Sequence, residues 1–220
     1  IEYVVADLSE PKQIKQAASQ ITAKYPAIDA VVNVAAIYSK ARKENSQGHE
    51  FMFATNHLGP FTLSNALLPA LKASGDGRIV TVSAPSTTKV NFDDIHGKNK
   101  FSPGFMGAFG ASKMMNLMFT YSMADKLKGS NVKATVLHPG LVKSELTKDM
   151  PAFLRFIFNG ISGKPDKAAA MLSKLATDAA YANANGIFFK ASGKEIKSSK
   201  YSYDKTMQEK LWKLSEELTS

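Results

Sequence analysis

The sequence has 220 residues, of which 44% are hydrophobic and 21% are charged, and its formal net charge is +9 at pH 7. This composition excludes an intrinsically disordered chain, and the length is sufficient to bury the core of one ordinary domain. The absence of cysteine excludes disulfides, thiolate nucleophiles and cysteine-based metal sites.

The basic balance favours an acidic partner such as a nucleotide, an anionic membrane or an acidic protein. No arginine-rich run or motif indicates nucleic acid. The histidines are scattered without the spacing of metal ligands, so no metal site is predicted. No apolar run reaches the roughly 18 residues that cross a bilayer, and no signal peptide is visible. We therefore expect a soluble protein of the cytosol or of an organelle interior.

Short apolar runs alternate with longer amphipathic stretches along the whole chain. Strands are predicted over 2–7, 28–36, 77–84, 132–140 and 186–192, and helices over 10–24, 49–73, 105–128, 165–182 and 204–218. Strand runs that are apolar on both faces and separated by helices are typical of a parallel sheet covered on both sides. The sequence therefore predicts one α/β domain over residues 1–220, with a doubly wound parallel sheet.

Polar and turn-forming residues follow the predicted strands at their carboxyl ends. These residues are Asp7, Asn33, Ser83 and the turn at 138–140. Ligands of open α/β sheets bind beyond the carboxyl ends of the strands. We therefore expect these residues to border one binding cleft.

An ordered set of motifs resembles the short-chain dehydrogenase/reductase family. The motifs are DLS at 7–9, NVAA at 33–36, TNHLGPF at 55–61, RIVTVSA at 78–84, FGASK at 109–113 and LHPGLVKSEL at 137–146. The last of these and the terminal KLWKLSEEL are most similar to the retinol-dehydrogenase-like branch. The resemblance covers nearly the whole chain, and it implies a Rossmann-like fold that is N-terminally incomplete here.

The resemblance implies NAD or NADP as the cofactor, unless binding has been lost. The residues that it places at the cofactor are Asp7, Leu8, Asn33, Ala35, Lys113, Pro139, Gly140, Val142 and Ser144. Read without the family, Asp7 is as readily a turn residue, and Asn33 is a residue that bonds across neighbouring strands. Lys113 is then a lysine whose charge reaches the surface past an apolar stem.

The same resemblance places Asn56 and Lys113 at catalytic positions, as remnants of an incomplete set. Phe109 stands where the family has its proton-transferring tyrosine, and Ala84 stands where it has its serine. Phenylalanine cannot exchange a proton, and each missing group typically supplies roughly 10²–10⁴-fold in rate. The sequence therefore predicts strongly impaired carbonyl chemistry. The remaining hydroxyls considered for rescue belong to Tyr38, Ser83, Ser86 and Ser112.

The glycine-rich turn that holds the pyrophosphate in this family, together with its strand and helix, has no counterpart in the sequence. Without that strand the run at 2–7 loses its neighbour, and the run at 29–36 becomes an exposed apolar edge. We consider three arrangements: residues absent from this chain, direct pairing of the first predicted strand with the second, or another chain that fills the gap. An initial isoleucine instead of methionine agrees with a processed, truncated or partial chain.

Residues 150–161, MPAFLRFIFNGI, form the most apolar loop-like stretch and are flanked by basic residues. The resemblance implies a lid over the substrate, whereas the residues themselves also suit a protein partner or a membrane surface. Three functions follow: a pseudoenzyme that serves as a structural or accessory subunit, an oxidoreductase for retinoid- or steroid-like alcohols and carbonyls, or a non-catalytic NAD(P) sensor.

Overall fold

The computed structural model describes residues 1–140 and 165–220. Its helices are α1 (Pro11–Lys24), α2 (Phe51–Phe53), α3 (Gly59–Ala73), α4 (Ala108–Lys126), α5 (Asp166–Thr177) and α6 (Lys205–Thr219). Its strands are β1 (Ala30–Asn33), β2 (Gly77–Val82), β3 (Val132–His138), β4 (Phe188–Lys190) and β5 (Glu195–Ile196). The predicted alternation of strands and helices is confirmed, with most elements shorter than expected.

The strands form one sheet in the order β1-β2-β3-β4-β5, in which β1 to β4 are parallel and β5 is antiparallel. Successive residues of β2 face opposite layers. Ile79 packs into a cluster with side chains of α3 and α4, whereas Val80 packs against Leu175 of α5. Helices therefore cover both faces, as a doubly wound α/β fold requires.

The predicted strand over residues 2–7 is wrong for this structure, as is its direct pairing with the strand that follows. Residues 1–7 carry no strand assignment, and most of them are exposed. The backbone N–H of Asp7 instead donates to the side chain of Gln13 in α1, and Glu2 forms an ion pair with Lys24 at the end of that helix. A strand needs a hydrogen-bonded neighbour, and this segment is attached to α1 instead.

The outer edge of β1 has no strand beside it within the described residues. Val32 and Val34 are 38% and 52% exposed there, which agrees with the expected apolar edge. The other two arrangements, residues absent from this chain or a second chain at the edge, stay predictions.

The predicted helix over 49–73 contains a π-helical turn, Ala54–Leu58, between α2 and α3. Such turns occur frequently at functional sites. Gly59, at the start of α3, is needed for a close approach, because a Cβ atom there would lie 2.7 Å from the carbonyl oxygen of Leu8. Glycine thus allows the N-terminal loop to lie directly on the start of α3.

The ends of the later helices follow from local capping. The side chain of Asp204 accepts hydrogen bonds from the N–H groups of Thr206 and Met207, which makes it the N-cap of α6. The helix predicted over 165–182 ends at Thr177, and a short 3₁₀ turn, Ala179–Tyr181, follows.

Among the described residues, no helix combines the length and the apolar character needed to cross a bilayer.

Candidate active site

The π-helical turn directs Asn56 into the interior, where it fixes the loop that follows β1. Asn56 is fully buried, and its Oδ1 accepts a hydrogen bond of 2.7 Å from the N–H of Ile37. Its Nδ2 donates to the carbonyl oxygen of Ile37 at 3.0 Å and to Oγ of Ser112 at 3.1 Å. One side chain therefore holds residue 37 against helix α4.

Phe109 lies in the first turn of α4, where it is 3% exposed and surrounded by aromatic rings. The rings of Tyr38 and Phe105 meet it edge to face, with centroids 5.8 and 5.2 Å away. Gly110 permits this packing, because a Cβ atom there would lie 1.7 Å from the carbonyl oxygen of Phe105. We call Tyr38, Phe105 and Phe109 the aromatic wall.

Lys113 lies one turn further along α4, with its Nζ 5.4 Å from the centroid of the Phe109 ring. The residue is 7% exposed, and burial lowers the pKa of its ammonium group to about 8. Within residues 1–140 and 165–220 its ammonium group forms neither a hydrogen bond nor an ion pair. The loss of hydration is therefore offset only by the weak attraction to the ring face.

The serine hydroxyls nearest to the site all donate to backbone carbonyl oxygens of α4. Ser83 donates to Lys113 at 2.7 Å, Ser86 to Gly110 at 2.8 Å, and Ser112 to Phe109 at 2.8 Å. Ala84 follows β2 without a hydroxyl of its own. The protons of Ser83 and Ser86 thus hold helix α4 to the segment after β2, whereas the proton of Ser112 is engaged within the helix itself.

A second group of predicted residues meets at the carboxyl end of β1. Leu8, Asn33 and Ala35 line a cavity of about 140 Å³ together with Val32 and Thr55. The amide of Asn33 donates to Oγ of Ser64 at 3.0 Å and reaches Oγ1 of Thr81 at 3.5 Å, so it bonds across to the neighbouring strand as well as to α3.

Asp7 does not line this cavity. Its Oδ1 accepts hydrogen bonds from the N–H and the hydroxyl of Ser9 at 2.8 and 2.7 Å, which forms the turn before α1. Thr55, in contrast, was not singled out from the sequence. Its Oγ1 is sealed from solvent and has no hydrogen-bond partner, and only its place directly before Asn56 could have drawn attention to it.

The third predicted segment begins at the end of β3. Burial lowers the pKa of the His138 imidazole, and a hydrogen bond to the backbone of Ser83 opposes that effect. Gly140 adopts a positive φ of 80°, which suits the Pro139–Gly140 turn. Val142, Ser144 and the apolar stretch 150–161 lie outside the described residues.

The candidate residues thus form two groups, one around Asn56, Phe109 and Lys113 and one around Leu8, Asn33 and Ala35. The described part of the chain contains no cluster of three or more histidine, aspartate or glutamate side chains placed to hold a metal ion. The arrangement offers a buried amine, an anchored amide and a ring without a hydroxyl. It lacks the tyrosine and serine hydroxyls that the resemblance would require.

Comparison with known proteins adds the family to this geometry. Human retinol dehydrogenase 14 is 31% identical over 218 residues, which cover 96% of this chain and 64% of that protein. Mouse retinol dehydrogenase 12 is 36% identical over 145 residues, or 65% of this chain and 45% of that protein. Human polyprenol dehydrogenase is 28% identical and is covered over 69% of its length. The chain therefore spans less than two thirds of the length of the two retinol dehydrogenases.

Solved structures agree on the architecture. An uncharacterised protein from Mycobacterium paratuberculosis has a TM-score of 0.74 and 27% identity, over 97% of this chain and 74% of that one. The NADPH-bound carbonyl reductase from chicken fatty liver, with a TM-score of 0.62 over 88% of this chain and 75% of that one, is 18% identical and shares the fold alone. The short chain dehydrogenase family profile matches residues 1–154. The chain belongs to the short-chain dehydrogenase/reductase family, in its retinol-dehydrogenase-like branch.

Proposed function

We propose that this chain is a catalytically impaired short-chain dehydrogenase/reductase that acts as a structural or accessory subunit. The observation that carries the proposal is that the serine hydroxyls near Phe109 already donate hydrogen bonds within the protein. Phe109 has none, and the hydroxyls of Ser83 and Ser112 already donate to backbone carbonyls of α4. Neither serine can polarise a substrate carbonyl without first breaking a bond that holds the helix.

The residues present fit the adenine and ribose groups of a dinucleotide better than its pyrophosphate. The cavity between Leu8, Asn33 and Ala35 is mostly apolar, which suits an adenine ring. The unpartnered hydroxyl of Thr55 is sealed from solvent, so it would have to turn toward the cavity before it could bond a nucleotide. Lys113 would hold the second ribose. The 220 residues contain no glycine-rich turn for the pyrophosphate. Because this turn is missing, we propose that this chain alone binds NAD(P) weakly or has lost the ability to bind it. When bound, NAD(P) would supply or accept a hydride.

Titration with NADH and with NADPH, followed by nucleotide fluorescence, tests the binding part of this proposal. The chemical part is tested by A84S/F109Y, with A84S and F109Y as single-site controls. An accessory subunit shows no turnover in the wild type. Turnover that appears in the double variant identifies a cofactor-competent relic, and saturable binding without wild-type turnover favours the sensor function. Wild-type turnover at a rate ordinary for the family overturns the impaired assignment.

A second candidate is an NAD(P)-dependent oxidoreductase for lipid-like alcohols or carbonyls. The observation that favours it is Tyr38, whose ring packs against Phe109 on a loop that Asn56 anchors. Its phenol could therefore replace the missing proton donor. Retinol and polyprenol appear in the names of relatives, and apolar substrates of that class are our proposal for this chain. Retinal reduction that disappears in Y38F but persists in Y38F/F109Y would support this candidate.

An accessory role also requires a partner. We propose residues 150–161 as the contact, because their sequence is apolar and carries basic flanks. Cosedimentation of the wild type and of F156D/F158D with phosphatidylserine vesicles distinguishes a membrane surface from a protein partner. Loss of sedimentation in the variant alone supports the membrane contact, and a wild type that stays in solution argues against it.

A further inference from the structure

We propose that Lys113 is a covalent capture site for long-chain apolar aldehydes, with which its amine forms an imine. This activity goes beyond the accessory role and requires neither a bound dinucleotide nor the missing tyrosine. It gives a function to an amine whose recorded contact within the described residues is the Phe109 ring, with neither a hydrogen bond nor an ion pair. The proposal rests on the state of the amine, on its access to solvent and on the surface beside it.

The amine has no competing partner. No carboxylate pairs with Lys113 in the described part of the chain, and Phe109 presents a ring face where a tyrosine would offer a hydroxyl. Elsewhere on the same helix Lys126 shows the usual arrangement, with Glu209 at 3.7 Å and 43% of its side chain exposed. Lys113 is therefore a buried ammonium that its surroundings do not neutralise.

The tip of Lys113 nevertheless reaches solvent. The described side-chain atoms that are both sealed and unpartnered belong to Thr55, His57, Asn116 and His138. The Nζ of Lys113 has no hydrogen bond and is not among them, so it retains some exposure. The side chain is almost wholly buried, since the residue is only 7% exposed, and the amine is an end of it that keeps a trace of accessibility. A desolvated, unpaired amine of this kind is the state in which a lysine acts as a nucleophile.

The surface next to the amine determines the class of carbonyl compound. The aromatic wall ends in Phe105, which is 45% exposed, and continues inward through Phe109. The serine hydroxyls beside it donate to backbone atoms and leave no free donor for a polar substituent. A flexible apolar chain ending in an aldehyde matches an apolar wall that leads to an amine.

The reaction balances without an oxidant or a reductant. The neutral amine of Lys113 attacks the carbonyl carbon, the carbinolamine that forms loses water, and a carbon–nitrogen double bond replaces the carbon–oxygen one. With its pKa lowered to about 8, roughly a quarter of Lys113 is neutral at pH 7.5. An ordinary lysine is neutral to only about one part in a thousand at that pH.

The test uses the full chain, dodecanal as the aldehyde and sodium cyanoborohydride to reduce any imine to a stable amine. Intact mass and peptide mapping then measure the rate of alkylation at each lysine. We expect Lys113 to be modified at least about tenfold faster than Lys126, with a midpoint near pH 8. K113R should abolish the fast adduct, and K126R, a matched change on the same helix, should leave it unaltered.

Equal rates at Lys113 and Lys126, or a fast adduct that persists in K113R, would overturn the proposal. The rate ratio is measured within the wild-type protein, so it remains decisive even if K113R does not fold. Butanal serves as the short-chain comparison. If the ratio of the modification rates at Lys113 and Lys126 were the same for butanal and dodecanal, the role of the aromatic wall would be contradicted.

Discussion

Asn56 and His57 are neighbours on one π-helical turn, yet their side chains belong to two different polar clusters. We define the site cluster as Tyr38, Asn56, Phe109, Ser112 and Lys113, and the sealed cluster as His57, Asn116 and Ser215. In the sealed cluster, Nε2 of His57 lies 2.9 Å from Oγ of Ser215, and the crevice beside them has no room for a water molecule. In the site cluster, the amine of Lys113 is almost wholly buried but keeps a trace of exposure.

Both clusters contain a base whose pKa is lowered by burial, but the consequences differ. Burial lowers the pKa of His57 to about 3, so the imidazole is neutral at physiological pH. The pKa of Lys113 falls only to about 8, so this residue remains mostly charged. His57 therefore contributes packing, whereas Lys113 retains the energetic cost of a buried charge that packing alone does not explain.

The largest expected difference concerns the two buried asparagines. N56A removes both hydrogen bonds to Ile37 and the one to Ser112, which leaves partly buried backbone groups without these partners. We expect a loss of about 3–5 kcal/mol in the free energy of unfolding. N116A, whose Oδ1 has no partner, should cost only about 1 kcal/mol.

Urea denaturation of both variants at pH 7.5 measures this contrast. Equal losses in N56A and N116A would show that the hydrogen bonds of the site cluster do not carry the stability of the loop after β1.

The next prediction concerns Lys113 and has a defined dependence on pH. Because its folded pKa is below the unfolded value of 10.5, the folded state binds fewer protons between about pH 8 and 10.5. Stability therefore rises with pH in that range, and the full cost is present below pH 8. K113M should raise the free energy of unfolding by about 2–3 kcal/mol at pH 7.

Paired urea titrations of the wild type and K113M at several pH values test this prediction. The advantage of K113M should shrink as the pH approaches 10.5. An advantage that is constant with pH would mean that the ammonium pays no burial cost.

The fold could largely be predicted from the sequence, because apolar periodicity reports burial directly. The parallel strands β1 to β4 and helix α1 are examples. The strand prediction for residues 2–7 was wrong because a strand needs a hydrogen-bonded neighbour, and no local pattern shows that the neighbour is missing. The π-helical turn could not be predicted for a similar reason. Its Asn56 bonds to Ile37, which lies 19 positions away in the sequence.

The roles that the resemblance gives to Phe109, Ala84 and Lys113 depend on residue identity alone, and they stay predictions. The site was not predictable where partners mattered. The hydroxyl of Ser83 is a plausible donor in the sequence, but the fold commits it to the carbonyl of Lys113. Asp7 is drawn into the turn of Ser9 in the same way. These outcomes depend on distances between segments that the sequence does not contain.

A smaller effect is expected for the base of the sealed cluster. H57Q removes the stacking of His57 on Phe53 and should cost about 1–2 kcal/mol at pH 7. The folded pKa of His57 lies below the unfolded value of 6.5, so the wild type loses stability as the pH falls below about 6.5. H57Q lacks this loss, and it should equal or exceed the wild type by about pH 5.

Acid titration of unfolding followed by tryptophan fluorescence measures the two curves. Parallel curves between pH 7 and pH 4 would indicate that His57 is not sealed.

The smallest predicted difference compares one serine from each cluster. Ser215 donates to the carbonyl of Leu211, so its Oγ accepts from the protonated Nε2 of His57. S215A leaves that N–H unpaired and should cost about 1–2 kcal/mol. Ser112 accepts from Asn56, whose Nδ2 keeps a second acceptor in Ile37, so S112A should cost about 0.5–1 kcal/mol. Urea denaturation that ranked S112A as the more damaging change would contradict the distinction, because a cluster with an alternative acceptor should tolerate the loss of one hydroxyl better than a sealed one.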